Sequence, residues 1–110
     1  TKQKLNKKRG EMKPMSAHAI RRAAQRNISP EDIEYVLHHG SKFHRAGACF
    51  YYLGSKDIPS TDRREDEITR LEGTIVVLDP EQRMVVTIYR DRERGLKDIR
   101  KKQDYLATAV

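Results

Sequence analysis

Cysteine pairs and long apolar runs are both missing from this sequence. Its single cysteine, Cys49, permits no disulfide within the chain and no cysteine-based metal site. Nothing in its cysteine usage marks an oxidising compartment, so a cytoplasmic location is expected. No apolar run approaches the ~18–20 residues of a membrane-spanning helix. The opening Thr1-Lys2-Gln3-Lys4 lacks the apolar stretch that follows the charges of a secretory signal. Phosphate-cradling glycine-rich loops, nucleophile elbows and HExxH helices are all absent. Hydrophobic residues make up only 36% of the 110. A chain of that size buries roughly two-thirds of its unfolded surface at best, enough for one modest core.

What the chain has is charge, unevenly placed. The formal net charge is +7. Residues 1–13 hold six Lys or Arg against one Glu, residues 14–89 ten against eleven acids, and residues 90–102 seven against three. A near-neutral body therefore sits between two basic arms. Residues 1–13 are polar and aperiodic and read as a disordered arm, and residues 14–107 as a single domain that includes the basic tail.

Hydrophobic periodicity divides that domain. Ser16 is placed to cap a helix running to about Arg26, with Ile20, Ala23 and Ala24 as its apolar stripe and Asn27 in the left-handed closing position. Ser29-Pro30-Glu31-Asp32 opens a second helix, with Ile33, Val36 and Leu37 on one face and Gly40 as its stop. Only Asn27 and Ile28 separate the two, which predicts a helical hairpin. After Gly40 the period shortens to two. Lys42–Arg45 and Ala48–Leu53 read as a strand pair broken at Gly47, and residues 74–79 and 84–90 as a second pair joined by Pro80-Glu81-Gln82-Arg83. In the last strand Val86 and Ile88 are expected to face the core, with Thr87 and Tyr89 on an exposed face. A structureless stretch of 55–73 is improbable in a small domain, so residues 61–72 are read as a short helix begun by Asp62 and Glu65. Leu96, Ile99 and Leu106 space a last, basic helix. The expected fold is α+β: an N-terminal helical hairpin packed on a four-stranded antiparallel sheet, with a basic C-terminal helical tail.

Three groups of residues suggest chemistry. His18, Arg22 and Arg26 recur every four residues and so share one helix face. A histidine that exchanges a proton near neutral pH beside two fixed cations suits phosphodiester cleavage, since the guanidiniums hold the phosphate and stabilise developing charge. The competing reading is the solvated side of an amphipathic helix. Thr87 and Tyr89 share a strand face, which offers hydroxyls to a phosphate or equally reflects β-propensity. Arg90, Arg92, Arg94, Lys97, Arg100, Lys101 and Lys102 form a cationic run of the kind that releases counterions on binding nucleic acid, or that docks an acidic partner. Only Tyr105 lies near that run as a stacking aromatic. His38, His39 and His44 lack metal-ligand spacing, so no metal and no cofactor are expected. Cys49, inside a strand, is expected to be a buried, inert thiol.

The run from Ser16 to Leu37 (SAHAIRRAAQRNISPEDIEYVL) resembles the opening of a widespread bacterial family of unknown function with the pattern H-A-x-x-R-x-x-x-R-G-I-S-x-E-D-I-x-x-V-L. Residues 71–77 (LEGTIVV) and 85–90 (VVTIYR) resemble its closing strands, so the likeness covers about residues 15–105. Asn27 stands where the family pattern has Gly, a change that a left-handed turn tolerates. That family is in turn similar to the superfamily of RelE-type messenger-RNA interferases, barnase and the tRNase colicins. The resemblance implies a metal-independent endoribonuclease. In it His18, Arg22, Arg26 and Thr87 would be catalytic, and Tyr89 and Arg90 would bind substrate, together with Arg94, Lys97, Arg100, Lys101 and Lys102 of the tail. The alternatives are a non-catalytic RNA-binding or regulatory domain, and a protein-interaction module with an acidic, antitoxin-like partner.

Overall fold

A computed structural model describes residues 13–101. In chain order it contains α1 (Ala17–Gln25), α2 (Pro30–His39), β1 (Ser41–Arg45), β2 (Ala48–Tyr52), a 3-10 turn (Ser55–Asp57), α3 (Asp66–Thr69), β3 (Thr74–Leu78), β4 (Val85–Arg90) and α4 (Gly95–Lys101). The four strands form one antiparallel sheet in the order β1-β2-β3-β4. The fold is therefore α+β. The basic arm over residues 1–12, and the tail from Lys102 to residue 107 with Tyr105 and Leu106, lie outside the described residues.

Local chemistry sets the helix starts. Ser16 Oγ accepts from Ala19 N at 3.0 Å and caps α1, while Asn27 closes it at φ 57°. At α2, Ser29 Oγ accepts from Asp32 N at 3.1 Å and Asp32 Oδ2 accepts from Ser29 N at 2.9 Å, a reciprocal capping box. Pro30 occupies the first turn, where its missing N–H costs nothing. Both residues of the β1–β2 turn, Ala46 and Gly47, have positive φ, as a tight two-residue hairpin requires.

Each of the first two helices takes its main packing partner from the sheet, α1 from β4 and α2 from β2 and β3. Ala19, Ala23, Ile33 and Val36 thereby meet Cys49, Val76, Leu78, Val85 and Ile88 on one sheet face, closed at its end by Leu53, Ile58, Ile68 and Leu71. The opposite face holds a smaller cluster, Phe50, Ile75 and Val77, covered by Ile99 of α4. The second cluster uses apolar positions that alternation alone would leave wet.

Four expectations need correction. Ile20 is 56% exposed, and the buried stripe of α1 is Ala19 and Ala23, whose small side chains let the helix lie close to β4. Residues 61–72 do not form one helix: only Asp66–Thr69 is helical, because the Asp62 carboxylate turns inward to Tyr35 instead of capping. Val86 belongs to the second cluster and not to the first, because the register slips between Val77 and Leu78 so that Leu78 pairs with Val85 while Val77 pairs with Thr87. The Thr87 and Tyr89 face is not open, because α4 covers it: both residues are half-buried, and Tyr89 packs against the cluster that includes Ile99.

Candidate nucleic-acid interface

The position of α1 follows from three hydrogen bonds to the free edge of β4. Val85 N donates to Pro14 O and Ser16 N donates to Val85 O, each at 2.9 Å, and Ser16 Oγ donates to Val86 O at 3.0 Å. The Ser16 hydroxyl thus caps α1 and ties its start to the strand. From there the two elements run side by side. Ten helical residues rise ~15 Å from Ser16 to Arg26, and four strand residues cover ~13 Å from Val86 to Arg90. The far end of α1 accordingly meets the far end of β4.

That corner collects arginines from the end of α1, the α3 exit and the β4 exit. Arg90 follows Tyr89 and shares the α1 side of the sheet with Ile88. Its register partner is Thr74, fully buried, whose Oγ1 has no hydrogen-bond partner. Arg70, just past α3, donates to Asn27 O at 3.3 Å and pairs with Asp32 Oδ2 at 2.7 Å, so the α2 cap and the corner share one carboxylate. Arg92 donates from Nε to Glu72 O at 3.3 Å. Its side chain lies over Gly73, at φ +88°, where an added Cβ would come within 2.6 Å of Arg92 Cγ. Among the described residues Arg26, Arg90 and Arg92 form no ion pair, whereas Arg70, Arg83 and Arg94 each do. The crowding is visible in Arg90: partial desolvation, then the charges of Arg92, Arg70 and Arg26, press its pKa down, with Glu72 pulling the other way.

The sequence-predicted residues fall into three places. Arg26 and Arg90 lie at this corner, near enough for the charge of one to act on the other. His18 and Arg22 occupy the exposed row leading to it, with Arg22 Nε donating to His18 Nε2 at 3.5 Å and Arg22 Nη1 to Gln25 Oε1 at 3.2 Å. Thr87 and Tyr89 lie on the other sheet face, since their register partners are Val77 and Ile75 of the second cluster. Burial, and then the charges of Asp91 and Asp98, raise the Tyr89 pKa. The cations of α4 diverge from the corner, because the helix crosses that second face toward β1. Arg94 pairs with Asp98 at 3.6 Å, and the Arg100 guanidinium carbon stands 5.9 Å from the Phe43 ring centroid. Lys97 and Lys101 are exposed, and Lys102 lies outside the described residues.

Arg70 joins the corner without any local sequence signal, and Arg92 reads in the sequence only as part of the basic tail. The pairing of residues 74–79 with 84–90 carries the missing information, because extending that hairpin sets the residues before 74 opposite those after 90. Cys49 is fully buried, its thiol pKa pushed up chiefly by desolvation. Its Sγ lies 4.0 Å from His44 Nε2. Among the described residues no cluster of three or more His, Cys, Asp or Glu is placed to hold a metal, and no helix is long and apolar enough to cross a membrane.

Fold and corner together define an α+β domain in which a four-stranded antiparallel meander carries helices on both faces and gathers unpaired arginines at one end of its outer strand. Residues 15–90, from the segment that docks on β4 to the last residue of that strand, match the family model described as Domain of unknown function (DUF4258), and the chain belongs to that family. No curated protein and no solved structure matches it.

Proposed function

We propose that this protein binds RNA by its phosphates along the α1–β4 edge and cleaves it without a metal ion, in the manner of the RelE and barnase type of endoribonuclease. The observation that carries the reading is the packing of α1 along β4. It brings Arg26, at the end of the row begun by His18 and Arg22, to the same end of the sheet as Arg90, neither arginine having an ion pair among the described residues. Guanidiniums grip phosphate by paired N–H donors and stabilise the charge that develops on the equatorial oxygens in the transition state. His18 moves the proton, and Arg22 beside it orients the ring. The two N-terminal helices act as one hairpin-like unit that presents the row. The basic C-terminal tail, through Lys97, Arg100, Lys101 and Lys102, adds salt-sensitive attraction. A cytoplasmic site of action accords with an RNA substrate.

A second reading, RNA binding without cleavage, is favoured by Thr87, whose register partner Val77 belongs to the face away from α1. Incubating the full chain with total RNA in EDTA separates the two. Cleavage that His18→Ala abolishes supports the nuclease. Intact RNA at high protein excess, with salt-steep binding that survives His18→Ala, leaves the binding reading. Binding that does not respond to salt removes both.

A further inference from the structure

The corner differs from an ordinary backbone-binding stripe in how its charge is concentrated. A stripe spaces single cations so that each meets one phosphodiester, which carries one negative charge. Here Arg26, Arg70, Arg90 and Arg92 converge from α1, the α3 exit and the β4 exit. Two carboxylates offset them, Asp32 paired to Arg70 and Glu72 acting on Arg90. A third carboxylate, Asp91, stands between Arg90 and Arg92 in the chain, its Oδ1 accepting from Arg94 N at 2.9 Å in the turn before α4. The corner therefore keeps a surplus of positive charge: Arg26, Arg90 and Arg92 form no ion pair among the described residues, and Arg70 and Arg92 are held in place from behind. Asp32 and Asn27 O fix Arg70, and Glu72 O together with the Gly73 backbone fixes Arg92. Thr74 Oγ1 adds an unpartnered hydroxyl on the same sheet face beneath Arg90. Several converging guanidinium forks, two of them anchored, match a phosphate monoester, which carries close to two negative charges at pH 7 and presents three acceptor oxygens.

We infer that the Arg26–Arg70–Arg90–Arg92 corner is a terminal-phosphate site, which takes the monoester at an RNA end in preference to an internal phosphodiester. The inference rests on the proposal that RNA is the ligand, but its chemistry is separable from it. A monoester bound here anchors one end of the strand at Arg90 and lays the adjoining nucleotides along the row of Arg22 and His18. The register of any cleavage is then counted from that end.

The test measures fluorescence anisotropy of the full chain, at one fixed salt concentration, with one short single-stranded RNA in three forms: 5′-phosphorylated, 3′-phosphorylated and hydroxyl at both ends. Inorganic phosphate serves as competitor. One phosphorylated form should bind at least about tenfold more tightly than the hydroxyl form, as expected for the extra charge-assisted hydrogen bonds. Inorganic phosphate should erase that difference. Arg90→Ala and Arg92→Ala should each remove the preference, with the fold checked by circular dichroism. Arg83→Ala, at the far end of the β3–β4 hairpin, should keep it. Equal binding of all three forms overturns the terminal-phosphate site while leaving RNA binding intact. If no RNA form binds but inorganic phosphate still protects the chain from thermal unfolding in an Arg90-dependent way, the monoester site stands and RNA as the ligand falls. If neither RNA nor phosphate binds, both ideas fall.

Discussion

Tyr35→Phe removes one oxygen atom and tests how the arginine corner is held. Tyr35 is 1% exposed and Asp62 is 2% exposed. The phenol donates to Asp62 Oδ2 at 2.6 Å across 27 residues, and Asp62 Oδ1 has no other hydrogen-bond partner. This contact fastens α2 to the turn that leads into α3, and so helps fix where Arg70 leaves that turn. A hydrogen bond to a charged acceptor contributes about 1.5–3 kcal/mol, and its loss leaves a buried carboxylate oxygen with no donor at all. The ring itself stays in place, so the packing loss is small. We expect Tyr35→Phe to cost about 2–3 kcal/mol by urea unfolding, which for a domain of this size lowers Tm by roughly 10–20 °C. The Asp62→Leu variant and the double variant complete a cycle in which the double costs less than the sum of the singles, because the polar group orphaned by one change is removed by the other. A Tyr35→Phe cost below about 0.5 kcal/mol, or strict additivity in the cycle, refutes the view that this buried pair fixes the turn.

Two further perturbations follow from the same packing. Burial is the largest cause of the raised pKa at Tyr35, Tyr51, Tyr52 and Tyr89. Above about pH 10 the unfolded phenols ionise while the folded ones hold their protons, so the unfolded state binds fewer protons and stability falls as pH rises. The contribution is fully present below that pH. Tyr35 alone accounts for about 1.4 kcal/mol per pH unit across its window. Denaturant titrations from pH 9 to 11 should show a shallower decline in Tyr35→Phe, and equal slopes contradict the assignment. Gly73→Ala meets both a positive φ and Arg92, at 2.6 Å from its side-chain Cγ and 3.0 Å from its backbone Cα. It should lose about 1–3 kcal/mol in urea unfolding, and a neutral outcome refutes the close approach.

Much of the scaffold was legible in the chain because local chemistry dictated it. Ser16 and Ser29 mark helix starts through side-chain hydrogen bonds to backbone N–H groups three residues on, Pro30 through its fixed φ and Asn27 through its left-handed backbone, all of which act within a few residues. Strands 74–78 and 85–90 announce themselves by unbroken β-branched runs. The reading failed where a side chain had two possible partners. Asp62 looks like a helix cap in sequence, but a buried tyrosine hydroxyl 27 residues away offers it a better bond than a solvent-exposed helix start. Ile20 looks like core beside Ala23, but only the two alanines are small enough for the close contact with β4.

By itself, then, the sequence determined the order and kind of elements, the caps that begin them, and a row of His18, Arg22 and Arg26 along one helix. Those properties depend on spacing within a few residues. Tertiary structure alone decided which charges meet. Ser16 ties α1 to the edge of β4, and the slipped register places Val86 in the cluster that α4 covers. The antiparallel pairing of β3 with β4 draws Arg70 and Arg92 in beside Arg26 and Arg90. Coulomb energy depends on distance in space, and no distance along the chain foretells that four arginines up to 66 residues apart share one corner.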